Sequence, residues 1–218
     1  MSPSTLKPAI FLDRDGVIVE NLADYVKTID EVHFLPGALA ALAQAAHLEY
    51  LIVVVTNQSV VGRGLLTEPA LAVINAYVHQ AIVAAGGRID GWYVCPHLPE
   101  ADCACRKPKP GMLLSAAADL HIDLPASVMI GDAVSDVQAG HAAGTQAILV
   151  RTGRGTGQTA ELARNRLEGV PVVADLAAAL QRLAASPVFT KTPPDGGAAE
   201  TLTPRILPYN PPADPARP

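Results

Sequence analysis

The sequence predicts an α/β domain, a parallel sheet covered by helices on both faces. Two observations predict it. Short β-branched runs alternate with helix-length stretches along residues 1–186. The runs are apolar throughout, as strands covered on both faces are. A core rich in Ala and Val with only 4% aromatics suits helices laid closely on such a sheet, and the expected arrangement is Rossmann-like.

Each element follows in order. Ala9-Ile10-Phe11-Leu12 reads as a buried strand. Pro36 and Gly37 introduce a helix from Ala38 to His47. Leu51-Ile52-Val53-Val54-Val55 is a second strand. Thr67 caps a helix through Ala85, with Leu71, Ile74, Val78 and Ile82 on one face and Gly86-Gly87 as its stop. Trp92-Tyr93-Val94 is a strand, Gly111 to Leu120 a helix and Val128-Met129-Ile130 a strand. Val134 to Ala143 is a helix closed by Gly144. Ala147 to Val150 and Val170 to Val173 are the last strands, and Leu176 to Ala185 the last helix.

The 218 residues suit one domain plus a tail. From Pro187 to Pro218 nine residues are proline, and this segment is expected to be disordered or extended. A net charge of −5 argues against a nucleic-acid-binding surface. No apolar run is long enough to span a membrane. Met1 to Pro8 has no apolar signal region. A cytoplasmic monomer without a disulfide framework is expected.

Four clusters carry chemistry, each at or near a predicted strand's carboxyl end, where open parallel sheets bind ligands. Asp13-Arg14-Asp15-Gly16 places two carboxylates at i and i+2, on one side of an extended chain. Such a pair needs a cation, and Mg2+ suits one or two carboxylates plus a phosphate. Thr56-Asn57-Gln58-Ser59 offers hydroxyls and amides to phosphate oxygens. Arg106-Lys107-Pro108 offers two cations, with Pro108 keeping Lys107 out of a helix. Gly131-Asp132-Ala133-Val134-Ser135-Asp136 supplies two more acids. Taken singly, each also suits a turn, a polar loop or a helix cap; their common order makes the joint reading stronger.

All three cysteines lie between positions 95 and 105. Cys95, His97, Cys103 and Cys105 form a Cys3His set for tetrahedral zinc. Four protein ligands leave no open position, so this zinc is structural, and its loop has little apolar surface of its own.

These residues resemble the haloacid-dehalogenase-type phosphohydrolases from about Ile10 to Val150. In detail, Phe11 to Gly16, Tyr25-Val26, Thr56 to Ser59, Arg63-Gly64, Cys95-Pro96-His97 and Cys103 to Met112 look like the D-glycero-D-manno-heptose 1,7-bisphosphate 7-phosphatases. Histidinol-phosphate phosphatases share the first half of the pattern, while Pro-Lys-Pro-Gly-Met after Lys107 is more like the heptose branch. The resemblance implies that Asp13 is the nucleophile and Asp15 the acid and base. It implies Mg2+ held by Asp13, the carbonyl of Asp15 and Asp132, with Thr56 and Lys107 balancing the phosphoryl oxygens. Asp136 orients the metal shell or Lys107. Tyr25, Asn57, Gln58, Ser59 and Arg106 contact a small phosphorylated sugar, Arg106 at its distal phosphate. The intervals from Asp13 to Thr56 and from Thr56 to Lys107 leave no room for a cap domain, which gives the zinc loop part of the substrate enclosure. Val60 stands where the heptose branch usually has Gly, Ala133 where many relatives are polar or basic, and Leu98 where a second His is common.

Overall fold

The structure, a computed structural model, describes residues 6–185 and the backbone of Arg205–Ile206. The rest of the segment 187–218, expected to be a tail, lies outside the described residues. The strands are β1 (Ala9–Leu12), β2 (Leu51–Asn57), β3 (Gly91–Cys95), β4 (Val128–Gly131), β5 (Gln146–Val150), β6 (Val172–Val173) and β7 (Arg205–Ile206). They form one sheet in the order β6-β5-β4-β1-β2-β3-β7. Every pairing is parallel.

Alternation along these strands divides the core in two. Ile10, Leu12, Ile52, Val54, Ile130 and Ile148 face one side. There they meet α1 (Ala38–Ala45), α3 (Glu68–Ala84) and α7 (Leu176–Ala184). Ala9, Phe11, Val53, Val55, Tyr93 and Met129 face the other, under α4 (Gly111–Leu120) and α5 (Val134–Ala143). Most of these strand side chains are fully buried, and each contributes roughly 1.5–3 kcal/mol of transfer free energy for the larger ones. Two-sided covering is why the runs read as apolar throughout.

Local signals account for most boundaries. Thr67 accepts from the Ala70 N–H and caps α3, an interaction typically worth about 1 kcal/mol. Gly144 closes α5 at φ 86. Two helices were not expected. The helix α2 (Ser59–Gly62) contains Val60 and Val61, poor helix formers, but Val60 is fully buried and tertiary packing wins. Val60 lies in this helix with negative φ, so the turn needs no glycine there. The helix α6 (Gly155–Arg164) starts Gly-Thr-Gly and forms because Leu162 packs with Val134, Val137 and Leu149. The last expected strand shortens to β6, because Pro171 cannot donate to a sheet ladder.

The register positions the site. Leu12 pairs with Val54 on one side and Ile130 on the other. One to two residues further, Asp13, Thr56 and Asp132 emerge together at the sheet's carboxyl edge. Between Asp13 and Thr56, and between Thr56 and Lys107, no domain is inserted.

Candidate active site

Asp13 follows β1 directly, and its N–H donates to the Ile130 carbonyl at 3.1 Å. Its carboxylate lies 3.1 Å from Lys107 Nζ. Lys107 Nζ also meets Asp136 Oδ1 at 2.7 Å and donates to the Val55 carbonyl at 2.8 Å. Asp13, Lys107, Asp132 and Asp136 are all buried. Burial pushes the Asp13 carboxyl up to about 6, with Asp136 and Asp15 adding and Lys107 opposing. Burial and the Asp13 charge likewise push Asp132 up. Burial pulls Lys107 down, but Asp13 and Asp136 outweigh it and hold the ammonium charged.

Asp13, Asp132 and Asp136 bring carboxylate oxygens within 4.8 Å of one another. Asp132 Oδ2 accepts from the Arg154 N–H at 2.8 Å and from Asn21 Nδ2 at 3.5 Å. Its Oδ1 is buried without a hydrogen-bond partner among the described residues, and the Arg154 guanidinium lies 3.5 Å away. An orphaned carboxylate oxygen beside a second buried carboxylate fits a hard divalent cation. Two backbone approaches confine Asp132. A Cβ on Gly16 (φ +90) would stand 2.1 Å from Asp132 Oδ2, and one on Gly153 (φ +56) 2.3 Å from it.

Asp15 turns away from this cluster. Arg14 grips it with Nε on Oδ1 at 2.9 Å and a terminal nitrogen on Oδ2 at 3.0 Å, and Gln58 Nε2 donates to Oδ2 at 2.8 Å. Gln58 also donates to Thr56 Oγ1 at 2.9 Å. Asn57 clamps Lys107 rather than facing outward: its amide donates to the Lys107 carbonyl at 3.0 Å, and its Oδ1 accepts from the Lys107 N–H at 3.1 Å. Asp136 Oδ2 accepts from the Ala133 N–H at 3.0 Å.

On the rim, the Tyr25 hydroxyl accepts from Arg63 Nε at 2.9 Å and lies 3.5 Å from Ser59 Oγ. The hydrogen bond with Ser59, then Arg63 and Arg106, lower its pKa against the opposing effect of burial. Arg106 donates to the His97 carbonyl at 3.1 Å. The rim therefore presents a phenol, a hydroxyl and two guanidinium groups.

The cysteine loop leaves β3 and returns to α4. Cys95, Cys103 and Cys105 are free thiols with sulfurs 3.2–3.6 Å apart. His97 Nδ1 lies 3.7 Å from Cys95 Sγ and 3.3 Å from Cys105 Sγ. A zinc tetrahedron with Zn–S bonds of about 2.3 Å has edges of about 3.8 Å, so the four donors fit one ion. The hydrogen bond from Cys105 lowers the Cys95 thiol to about 5, and Cys105 beside it is pushed up. Backbone bonds tie this loop to α2: Gln58 N–H donates to the Cys95 carbonyl at 2.7 Å, and Gly62 N–H to the Pro96 carbonyl at 3.0 Å.

The expected residues thus gather at one end of the sheet. The reading from sequence missed Arg14, Asn75 and Arg154. Arg14 had a visible signal, a cation between two acids. Arg154 follows β5, and inspection of every strand's carboxyl end would have reached it.

Comparisons with known proteins agree. Residues 104–179 match the HAD-hydrolase-like family model. The D-glycero-beta-D-manno-heptose-1,7-bisphosphate 7-phosphatase of Bordetella bronchiseptica is 41% identical over 175 residues, covering 80% of this chain and 96% of the relative. The same-named protein of Salmonella typhi is 41% identical over 184 residues, covering 80% and 96%. Among solved structures, the D,D-heptose 1,7-bisphosphate phosphatase of B. bronchiseptica, complexed with magnesium and phosphate, aligns with a TM-score of 0.76 and 40% identity over 81% of this chain and 98% of that one. No helix among the described residues is long and apolar enough to cross a membrane. With identity of this order across nearly the full length of these relatives, the chain belongs to the D-glycero-β-D-manno-heptose-1,7-bisphosphate 7-phosphatase family of HAD-like hydrolases.

Proposed function

We propose that this phosphatase removes the 7-phosphate of D-glycero-D-manno-heptose 1,7-bisphosphate through an aspartyl-phosphate on Asp13. The observation that carries the reading is the buried Asp13 carboxylate 3.1 Å from Lys107 Nζ at the sheet's carboxyl edge, below a rim of Tyr25, Arg63 and Arg106.

An Asp13 oxygen attacks phosphorus, the bond to the sugar oxygen breaks, and Asp15 gives that oxygen its proton. Water then attacks the same phosphorus, the bond to Asp13 breaks, and Asp15 takes the proton. Lys107 and the Thr56 hydroxyl balance the equatorial oxygens, where charge spreads in the transition state. Asp136 fixes Lys107, and Asn57 fixes its backbone. Asp13, Asp132 and the carbonyl of Asp15 would hold Mg2+, which supplies positive charge to the phosphoryl group. Cys95, His97, Cys103 and Cys105 would hold a structural zinc, placing Arg106 and Lys107 immediately after the last ligand. Arg106, Tyr25 and Ser59 face the substrate's distal phosphate and hydroxyls.

Phosphate release across a panel of sugar mono- and bisphosphates tests this. The expected outcome is the highest kcat/KM for heptose 1,7-bisphosphate. A preference for histidinol phosphate would overturn the substrate assignment, and no Mg2+-dependent release from any ester would overturn the activity.

A further inference from the structure

A fully buried arginine needs a reason, because an ionised group taken out of water is costly unless well paired. Arg14 is such a group, at 0% exposure. Its guanidinium forks onto both Asp15 oxygens, at 2.9 and 3.0 Å. Behind it, the remaining terminal nitrogen donates to Asn75 Oδ1 at 2.7 Å. Asn75 is buried and belongs to α3, a helix that supplies no other group to the site.

We propose that Arg14 and Asn75 are positioning residues, a buried relay from α3 that aims the Asp15 carboxylate at the leaving oxygen. This rests on the reading of Asp15 as acid and base. A carboxylate has about four lone-pair sites. Arg14 occupies one on each oxygen, and Gln58 occupies the second on Oδ2. One site on Oδ1 stays open. The Asp15 side chain is 23% exposed while that of Arg14 is 1% exposed, so the pair opens toward solvent at Asp15. Oδ1 is therefore the oxygen that exchanges the proton with the leaving sugar and then with water. A bidentate fork fixes the carboxylate plane in a way that a single point charge cannot.

The relay serves proton delivery, so its loss must depend on the leaving group. An alkyl oxygen needs the proton to depart; p-nitrophenolate does not. Arg14→Lys keeps a buried cation beside Asp15 and loses the fork. Asn75→Ala removes the rear support from outside the site. The rate of Asp13 phosphorylation is read in single turnovers with heptose 1,7-bisphosphate and with p-nitrophenyl phosphate. For Arg14→Lys the expected loss is roughly 10- to 100-fold on the sugar ester, within the range of general acid catalysis. On the aryl ester it is under about threefold, with KM changed by less than about threefold on either. Asn75→Ala should lose about three- to tenfold with the same leaving-group pattern. Equal losses on both esters, or no loss in either variant, would overturn the relay. Should Arg14→Lys fail to fold, Asn75→Ala decides by the same two rates. A wild-type enzyme that releases phosphate from neither ester would instead overturn the phosphatase reading.

Discussion

The carboxylate floor and the cysteine loop are built in opposite ways. The floor draws Asp13, Thr56 and Asp132 from the ends of three strands, Lys107 from a loop and Asp136 from the first turn of α5, and the sheet register sets the strand-end residues level. The cysteine loop draws its four candidate donors from positions 95 to 105, and Cys95 and Cys105 are fully buried in the core beside α4. The floor therefore rests on contacts between residues far apart in the chain, whereas the Cys3His cluster is local, within positions 95 to 105. In the proposed function, reaction chemistry belongs to the first and substrate enclosure to the second.

The largest expected effect breaks the floor alone. Asp13→Asn removes the nucleophile and should cut kcat by roughly 1000-fold or more, while zinc content stays near one equivalent and the circular dichroism spectrum is unchanged. Activity within about tenfold of wild type would remove Asp13 from its role. The next acts where the two regions meet. Arg106→Ala should lower kcat/KM for the bisphosphate by roughly 10- to 1000-fold and much less for a small monophosphate ester. Equal losses would assign Arg106 to the loop, through its bond to the His97 carbonyl.

A third change breaks the loop alone. Cys103→Ser should take bound zinc below half an equivalent by metal analysis. It should lower kcat/KM for the bisphosphate by about tenfold, because Arg106 and Lys107 lose their anchor. Near-full zinc in protein purified without added metal is the expected wild-type result; reactive thiols and little zinc would refute the site. The smallest effect is a pH dependence confined to the floor. Asp13 is held at about 6 against an ordinary 3.8. The fold thus favours its protonated form, and this contribution to stability is complete below about 4 and lost as pH rises through about 6. Metal-free protein should melt a few degrees lower at pH 7.5 than at pH 5. Added Mg2+ should raise the melting temperature more at the higher pH, and Asp13→Asn should flatten the slope. A metal-free melting temperature that rises between those values, equally in both proteins, would contradict the buried-carboxyl account.

The same contrast explains what was legible in the sequence. The Cys3His cluster could be read directly, since its four members are close in the chain and chemically distinctive. The strands and the order of the floor residues were legible because two-sided burial leaves continuous apolar runs ending in acids or Thr, with Lys107 marked by the following Pro108. Hidden features depended on tertiary packing. Helix α2 carries β-branched residues and follows the burial of Val60. Asn57 was expected to contact the substrate, and nothing local shows that its amide meets the Lys107 backbone 50 residues away. Asn75 carries no local signal on its helix, and only the fold brings it behind Arg14.

The two glycines pressed against Asp132 bear on how this enzyme can be retargeted. Any side chain at Gly16 or Gly153 would have to displace the carboxylate that defines the cation site. Directed evolution toward another phosphate ester therefore gains nothing from randomising those walls. New specificity has to be sought at Tyr25, Arg63 and Arg106, whose hydrogen bonds run to one another and to the His97 carbonyl and not to Asp132.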